Sequence, residues 1–481
     1  MSMNVKRICA YAVAAFLILA VAFRLIAGEG FEYGTVTSRM IQEKAVTAEI
    51  LTDTVLEQTF VSECDRITGI TLLGTNYGKT VDDELRLAVL NGSGQTVASA
   101  VLNTAGLPDS SQWSIPVEDS TDGHRGETLT LQVTSAAGST GNAVSLFYGD
   151  TVSAGKYELD IPMEHPLSVN GNDAAGRLCL SVSGENRYPL ARYYWHTMAA
   201  LLALLLLFCW WMIDSDRRGR SNLMLRLLAA ATRYRFLLKQ LVQRDFKTKY
   251  KRSILGVLWS FMNPLLTMMV MYIVFSTLFK SNIVNFPVYL LSGIVCWNFF
   301  SEVTGSCLTS ITGNTALITK VYVPKYMYPL SRTISSTVNL GLSLIPLGIV
   351  LLLTGSRLTV RILLLPFPII CLFLFAFGMG LLLASMMVFF RDTQFLWGVI
   401  SMLWMYLTPI FYDAEIVPAQ YMALYKMNPL DHIIRIMRIL LINGVSPEPK
   451  AYLLCAAASL IPLFLGALVF KKTQDRFVLY L

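Results

Sequence analysis

Long apolar runs constrain this chain more than any other feature of its sequence. A membrane-spanning helix needs about 20 mostly apolar residues, and eight stretches of the 481-residue chain approach that length. The predicted spans are residues 9–28, 195–213, 254–279, 287–311, 333–354, 362–389, 395–412 and 451–470. Only 15% of all residues are charged, against about 25% in soluble domains. The sequence therefore indicates a polytopic α-helical membrane protein.

Cations beside the apolar runs predict the orientation. Lys and Arg collect on the cytoplasmic side of a membrane. Lys6 and Arg7 precede the first span, and Lys471 and Lys472 follow the last, so we expect both termini in the cytoplasm. A cleaved signal peptide is the alternative for residues 1–28, but no small residue stands three positions before Ala27, which favours an uncleaved anchor. These flanking cations account for the net charge of +7, so no nucleic-acid partner is predicted.

Residues 29–193 differ in kind from the rest of the chain. They contain short alternating stretches such as ETLTLQVTS, separated by turn signals such as Asn91-Gly92, and this pattern is typical of an all-β sandwich. The spans on either side place this domain outside the cell. Cys64 and Cys179 lie in it and are candidates for a disulfide. Tyr77, Trp113, Tyr148 and Tyr157 offer candidate faces for sugar stacking. The alternatives are a structural spacer or a docking surface for another protein.

A basic amphipathic helix is predicted at residues 223–252, after the second span and its linker (residues 194–222). Leu227, Leu238 and Leu241 recur with helical spacing, and cations cover the other side. Such a helix lies in the membrane surface. Its cationic end is predicted to attract the phosphate of a lipid, and a simple juxtamembrane anchor is the alternative. The recruiting residues are Arg244, Lys247, Lys249, Lys251 and Arg252.

From about residue 225 to the end, the chain resembles the ABC-2 exporter permeases of the O-antigen and teichoic-acid type. Four motifs in the family's order carry the resemblance: QLVQRDFKTKYKRSILGVLWSFMNPLL (240–266), WNFFSEVTGSCLTSITGNTALITKVYVPKYMYPLS (297–331), FFRDTQFLWGVISMLWMYLTPIFY (389–412) and NPLDHIIRIMR from Asn428. The resemblance implies a six-span permease core at residues 253–481 in a bacterial plasma membrane. It also implies a homodimer, two copies of a separate ABC ATPase that holds ATP and Mg, and a lipid-linked cell-surface polysaccharide as cargo.

Two segments of the core take roles from the resemblance. Residues 314–332 are similar to a coupling helix that docks on the ATPase, with Lys320, Tyr322, Pro324 and Lys325 as its candidate contacts. The alternative is a plain loop. Residues 413–447 look like re-entrant helices at an outer gate. Within them, Arg435 and Arg438 either meet the passing cargo or pair with Asp431 and lipid headgroups.

Aromatic residues and one carboxylate in the spans are candidates for the translocation pathway. Aromatic faces stack on sugars and still allow a polymer to slide. Trp259, Trp297, Trp404 and Tyr406 are the aromatic candidates, although most membrane aromatics belong to interface belts or to the core. Glu302 is a carboxylate inside an apolar run, where a charge is costly and functional by default. The alternative is that Glu302 is a packing partner whose carboxylate is satisfied by a neighbouring span.

Sequence motifs for chemistry are missing. GTNYGKT, from Gly74, has three residues between its glycines where a phosphate loop needs four. No catalytic residue, metal site or cofactor is predicted in this chain, and it is not expected to be an enzyme. Two other functions stay open: an ABC-2 exporter of a small drug or lipid, and a non-transporting carbohydrate receptor.

Overall fold

A computed structural model describes most of the chain and divides it into two compact units. The described residues are 5–38, 40–43, 45–119, 123–149, 151–152, 166–173, 176–219, 222–250, 256–277, 283, 285–320, 323–356, 358–413 and 418–480. One unit comprises Met1–Phe31 and Tyr193–Leu481, and the other comprises Glu32–Arg192. The first unit is helical and the second is built from strands, so the predicted fold class is confirmed.

Sixteen strands occur in the described part of the β unit. They are β1 Tyr33–Thr37, β2 Ile41–Gln42, β3 Ala45–Val46, β4 Val55–Val61, β5 Arg66–Thr75, β6 Glu84–Leu90, β7 Thr96–Asn103, β8 Ser111–Pro116, β9 Glu118–Asp119, β10 Thr128–Ser135, β11 Ser145–Gly149, β12 Thr151–Val152, β13 Ser168–Val169, β14 Asn172–Asp173, β15 Arg177–Leu178 and β16 Leu180–Arg187. One sheet has the order β1-β16-β5-β11-β15, with β3 and β8 attached, and the other has the order β14-β13-β4-β10-β6-β7-β9. The two form an antiparallel sandwich.

Alternation along the strands builds the core of the sandwich. In β10, Leu129, Leu131 and Val133 are buried while the residues between them are not. This period of two sends one row of side chains inward and the other outward. The inward rows of both sheets meet in one apolar cluster that includes Leu87 and Trp113. The eight cysteines are all free thiols, so Cys64 and Cys179 are not paired.

Fifteen α-helices occur in the described residues. They are α1 Val5–Ala27, α2 Glu29–Glu32, α3 Pro189–Arg192, α4 Tyr194–Arg217, α5 Leu223–Tyr250, α6 Leu258–Thr277, α7 Phe286–Leu308, α8 Thr315–Lys320, α9 Met327–Leu353, α10 Pro366–Phe389, α11 Thr393–Leu407, α12 Met422–Tyr425, α13 Pro429–Arg438, α14 Pro449–Thr473 and α15 Phe477–Tyr480. Seven of them are long and apolar enough to cross a membrane: α1, α4, α6, α7, α9, α10 and α14.

The predicted count of eight spans is not confirmed. The predicted span at residues 395–412 corresponds to α11, which has only 15 residues and ends before Thr408, whose backbone is extended. Because a helix rises 1.5 Å per residue, α11 covers about 22 Å, less than the hydrocarbon core of about 30 Å. The predicted start of the first core span, residue 254, lies outside the described residues.

Helices α10 and α14 approach each other closely through two glycines. A Cβ on Gly466 would lie 2.0 Å from the carbonyl oxygen of Gly378, and a Cβ on Gly378 would lie 2.4 Å from the backbone of Leu463. Small residues let helices in a membrane pack backbone to backbone. This close crossing sets the position of α14 relative to α10 on one side of the permease core.

The first two spans pack against each other, and α1 packs against the start of α14. The Tyr194 hydroxyl at the start of α4 donates to the Ala20 carbonyl of α1 at 2.7 Å. Phe23 and Phe31 contact the ring of Tyr452, with centroids 5.3 and 6.1 Å away. The Tyr452 hydroxyl lies 3.0 Å from that of Ser446. Aromatic pairs of this kind contribute about 0.5–1.5 kcal/mol beyond their buried area, so α1 and α4 are packed parts of the helical unit.

Candidate functional site

A polar cavity lies between four helices of the permease core. It has a volume of about 470 Å³, within the range of small-molecule sites. Its polar lining comes from α5, α6, α7 and α9: Lys249, Tyr250, Ser260, Asn263, Asn298, Ser301, Glu302, Asn339 and Ser343, with Trp259 at its border. We call it the Glu302 cavity. Amides and hydroxyls provide both donors and acceptors, which suits a polyhydroxylated ligand.

Glu302 is held by three groups from two other helices. The Ser336 hydroxyl and the Asn339 amide donate to its Oε1 at 2.8 and 2.7 Å, and the Lys249 ammonium lies 2.9 Å from its Oε2. A carboxylate among apolar spans is costly unless it is paired and hydrogen-bonded. Both side chains of the ion pair remain about one third or more exposed, so solvent screens it.

A second polar network joins α5 to α9 and involves a carboxylate that was not predicted from the sequence. Asp245 of α5 is buried and accepts from Arg244, 2.9 Å from Nη2 to Oδ1. On α9, the Ser331 hydroxyl donates to Asp245 at 3.3 Å and Arg332 Nε lies 3.6 Å from its Oδ2. Asp245 is the one acidic residue within Leu223–Tyr250. That isolation was the available signal, because a lone carboxylate in a basic helix needs a cationic partner.

The predicted phosphate-recruiting residues occupy different environments. Arg244 is engaged by Asp245, and Lys249 is engaged by Glu302. Lys247 is exposed on α5. Lys251 and Arg252 lie outside the described residues. The structure thus brings Lys249 to the Glu302 cavity and leaves Lys247 on the surface.

The 314–332 segment contains the short helix α8. Lys320 ends α8 and is exposed. Lys325 is half-buried: its ammonium donates to the carbonyl of Gln474 and lies 5.8 Å from the centroid of the Phe477 ring. Pro324 stands between α8 and α9 in non-helical backbone, and Tyr322 lies outside the described residues. Lys320 is therefore available to a partner, whereas Lys325 holds the C-terminal segment.

Arg438 is a buried residue that organises the 413–447 segment. Its guanidinium donates to the carbonyl oxygens of Pro409 and Ile410 at 2.7 and 3.2 Å. It also donates to the Tyr289 carbonyl at 3.2 Å and lies 3.3 Å from the centroid of the Tyr289 ring. A Cβ on Gly293 would approach Arg438 Nη2 to 3.0 Å, so the glycine leaves room for it. Arg438 satisfies non-helical carbonyls that lipid would leave unpaired.

Asp431 and Arg435 line a separate cavity of about 480 Å³ next to Arg438. Asp431 is buried and accepts from the Tyr425 hydroxyl at 2.9 Å. Arg435 is exposed. The two arginines, three residues apart on α13, thus differ: Arg435 faces open space and Arg438 faces the protein.

Trp404 and Asn428 fix the start of α13. The Asn428 side-chain oxygen accepts from the backbone N–H of Leu430 at 3.1 Å, as a helix N-cap does. The Trp404 ring N–H donates to the same oxygen at 2.9 Å, and the Asn428 amide donates to the Thr408 hydroxyl at 2.9 Å. This contact connects α11 to α13.

The other pathway candidates are spread through the core. Trp297 is buried, and its ring centroid lies 5.7 Å from that of Phe300. Trp259 and Tyr406 are about half exposed. Trp404 also contacts Phe300, with ring centroids 5.4 Å apart, so the structure brings Trp297 and Trp404 together on one ring. Of the four predicted aromatics, only Trp259 borders the Glu302 cavity.

The four aromatic candidates of the β unit also separate. Trp113 is buried, and its ring N–H donates to the Pro108 carbonyl at 3.1 Å, which leaves no ring face for a sugar. Tyr148 is half-buried against the sandwich core. Tyr77 is half exposed, and its hydroxyl donates to Ser145 at 2.9 Å. Tyr157 lies outside the described residues. Among the described residues, no group of three His, Cys, Asp or Glu side chains is placed to hold a metal.

Membrane helices around a polar cavity, preceded by an amphipathic helix, define the class of membrane permeases. The ABC-2 type transporter profile matches residues 237–442. The O-antigen export system permease protein RfbA of Myxococcus xanthus is 30% identical over 257 residues, 53% of this chain and 98% of the relative. The protein of the same name from Klebsiella pneumoniae is also 30% identical, over 50% of this chain and 93% of the relative.

A more distant relative agrees with these matches. The polysialic acid transport protein KpsM of Escherichia coli is 21% identical over 48% of this chain and 91% of the relative. The chain therefore belongs to the ABC-2 type transporter family of polysaccharide export permeases. It is a multi-pass membrane protein with a β sandwich in front of the matched region.

Proposed function

We propose that this chain is the membrane subunit of an ATP-binding-cassette exporter that moves a lipid-linked cell-surface polysaccharide across the bacterial plasma membrane. The observation that carries this proposal is the match to O-antigen export permeases over nearly their whole length. The polar Glu302 cavity supports it, because its amides and hydroxyls suit the sugar end of such a cargo. Two copies of the chain form the pathway, and two separate ATPase subunits hold ATP and Mg.

The cargo is recruited at the cytoplasmic face by α5. Exposed cations near an anionic surface contribute about 1 kcal/mol each, and Lys247 and Lys249 stand on the last turns of α5. The phosphate of the lipid-linked cargo competes with Glu302 for the ammonium of Lys249. The sugar end of the cargo then enters the Glu302 cavity. Lys249 is thus the residue that connects recruitment to the pathway.

ATP-driven movement enters the permease through the 314–332 segment. Lys320 lies at the exposed end of α8, and this short helix docks in a groove of the ATPase. The 413–447 segment closes the outer mouth, with Arg438 as its fixed point and Arg435 at its open surface. Both termini are cytoplasmic, because α11 and the non-helical residues that follow it together make an eighth crossing of the membrane. Residues 29–193 lie outside the cell, where the polymer emerges.

The test is a deletion of the chain followed by complementation. Cells without it are expected to lose surface polysaccharide and to accumulate the lipid-linked polymer inside, and the wild-type chain is expected to restore export. Purification in mild detergent is expected to recover an ATPase with the chain. Normal surface polysaccharide in the deletion strain would overturn the proposal, and accumulation of a small lipid or drug instead would favour a different cargo.

A further inference from the structure

An open groove crosses the outer face of the second sheet of the sandwich. Its volume is about 570 Å³. The strand registers place five outward residues in one row across β4, β10, β6, β7 and β9. The row runs Glu57, Gln132, Ala88, Ser99 and Glu118. The side chains of Ala88 and Ser99 in the middle of the row are short and the glutamates at its ends are long, so the surface is lowest in the centre.

The next row adds the cation of the groove. Thr134 pairs with Arg86 across β10 and β6, and Arg86 pairs with Val101 across β6 and β7. Residues two apart on a strand share a face, which puts Arg86 beside the low point at Ala88. Thr134, Arg86 and Val101 all line the groove.

The polar groups of the groove are largely unused by the protein. The Gln132 amide donates to the Glu57 carboxylate at 3.0 Å, which leaves the Gln132 carbonyl oxygen as an acceptor. Within the described residues, the side chains of Arg86, Ser99, Glu118 and Thr134 have no hydrogen-bond or ion-pair partner. The groove therefore offers donors and acceptors side by side.

This chemistry selects among ligand classes. Sugar hydroxyls both donate and accept, and this lining matches them. A protein partner usually inserts an aromatic or other large anchor into an apolar pocket, but Val101 is the one large apolar side chain exposed in the lining. Nucleic acid needs clustered cations, and the lining has one. The two carboxylates at the row's ends are four strand spacings, about 19 Å, apart, too far to share a metal ion.

We propose that this groove, with Arg86, Ser99, Glu118, Gln132 and Thr134 as hydrogen-bonding groups, binds a segment of the exported glycan. The identity of the glycan rests on the proposed function. The site differs from the aromatic faces expected from the sequence. Recognition comes from hydrogen bonds to hydroxyls across the sheet, and the small residues Ala88 and Ser99 make room for the sugar rings.

The experiment is a calorimetric titration of the full-length chain in nanodiscs. The probe is polysaccharide from the producing cells, freed of its lipid by mild acid. Ser99→Trp fills the groove and is expected to weaken binding at least tenfold. Ser114→Trp, an exposed serine on the outer face of the other sheet, is the matched control and is expected to bind as the wild type does. Arg86→Ala, which fills nothing, is expected to weaken binding ten- to a hundredfold.

The outcomes distinguish failure of the proposed glycan site from failure of the proposed export function. If Ser99→Trp and Arg86→Ala both bind with wild-type affinity, the groove is not the glycan site. Absence of binding by the wild type would overturn the proposal as well. Equal binding of dextran would overturn the assignment to the exported polymer. Failure of the proposed function shows elsewhere, as unchanged surface polysaccharide in the deletion strain, because the titration reports only on the groove.

Discussion

The ammonium of Lys249 lies 2.9 Å from the carboxylate of Glu302 and joins the end of α5 to the middle of α7. The same carboxylate accepts from Ser336 and Asn339 of α9. One side chain therefore connects the amphipathic helix to two membrane helices at the wall of a polar cavity. The two partners of the ion pair are expected to respond differently to substitution.

Replacing Lys249 with Met is expected to reduce export strongly while stability changes little. The ion pair is partly exposed, and such pairs contribute about 0–1 kcal/mol. Glu302→Ala removes the acceptor of two further donors and is expected to cost about 1–3 kcal/mol. Thermal unfolding of the purified chain and surface polysaccharide in cells measure the two effects. Normal export by Lys249→Met would contradict the role given to Lys249.

Replacing Arg438 with Ala is expected to abolish export and to destabilise the helical unit by several kcal/mol. The carbonyl oxygens of Pro409 and Ile410 lose their donor, and each unpaired buried group costs about 1–3 kcal/mol. Arg435→Ala, one turn away and exposed, is the matched control and is expected to leave stability unchanged. Equal unfolding temperatures for the two variants would show that Arg438 is not the anchor of the segment.

Replacing Gly466 with Ala is expected to disrupt the crossing of α10 and α14. The added Cβ meets the carbonyl oxygen of Gly378 at 2.0 Å, so the helices must move apart and lose packing. Gly341→Ala on α9 adds a Cβ with no atom outside the helix within 4 Å and is expected to be neutral. The yield of monodisperse protein after detergent extraction compares the two. A Gly466→Ala protein as stable as Gly341→Ala would refute the close approach.

Reversing the charge of Lys320 is expected to uncouple ATP hydrolysis from export. Lys320 is exposed at the end of α8, so Lys320→Glu is not expected to affect folding. Lys471→Glu, an exposed cation at the end of α14, is the control. The ratio of polysaccharide exported to ATP hydrolysed should fall only in Lys320→Glu. An unchanged ratio would remove Lys320 from the coupling contact.

The stability of the β sandwich is expected to depend on the protonation of His124. Burial alone would lower the pKa of His124, but hydrogen bonds and charges from Glu127 and Asp119 outweigh burial and raise the pKa above its ordinary value. Because the folded-state pKa is the higher one, the stabilisation is complete below about pH 6.5. It is lost as the pH rises through the folded-state pKa.

His124→Gln tests this linkage. The wild type is expected to exceed the variant in unfolding temperature by more at pH 6 than at pH 8.5. His196→Gln, an exposed histidine at the start of α4, should show no such pH-dependent difference. A constant difference between wild type and His124→Gln across this range would rule out the contribution of the charged imidazole.

The fold class followed from local patterns, because apolar runs and alternating strands are properties of short windows. The predicted count of eight spans was not confirmed at α11, where an apolar run continues past Leu407 although the helix does not. Composition measures hydrophobicity and does not report where Thr408 turns to extended backbone.

The individual roles of the site residues could not be predicted, because they depend on tertiary contacts that form only in the folded chain. Arg438 and Arg435 look alike in the sequence, and only the fold separates the buried one from the exposed one. Trp113 was open to a better reading, because Gln112 and Ser114 flank it as polar neighbours in an alternating strand. That alternation places Trp113 in the core, where the structure has it.

The most direct test of the exporter is transport by the chain and its ATPase reconstituted in vesicles that carry the lipid-linked polysaccharide on the outer leaflet. A glycosidase added outside digests whatever has not been moved. ATP is expected to make a fraction of the polymer resistant to digestion, and Lys320→Glu is expected to lower this fraction while hydrolysis continues. A polymer that stays fully digestible despite ATP hydrolysis would show that the chain does not export it.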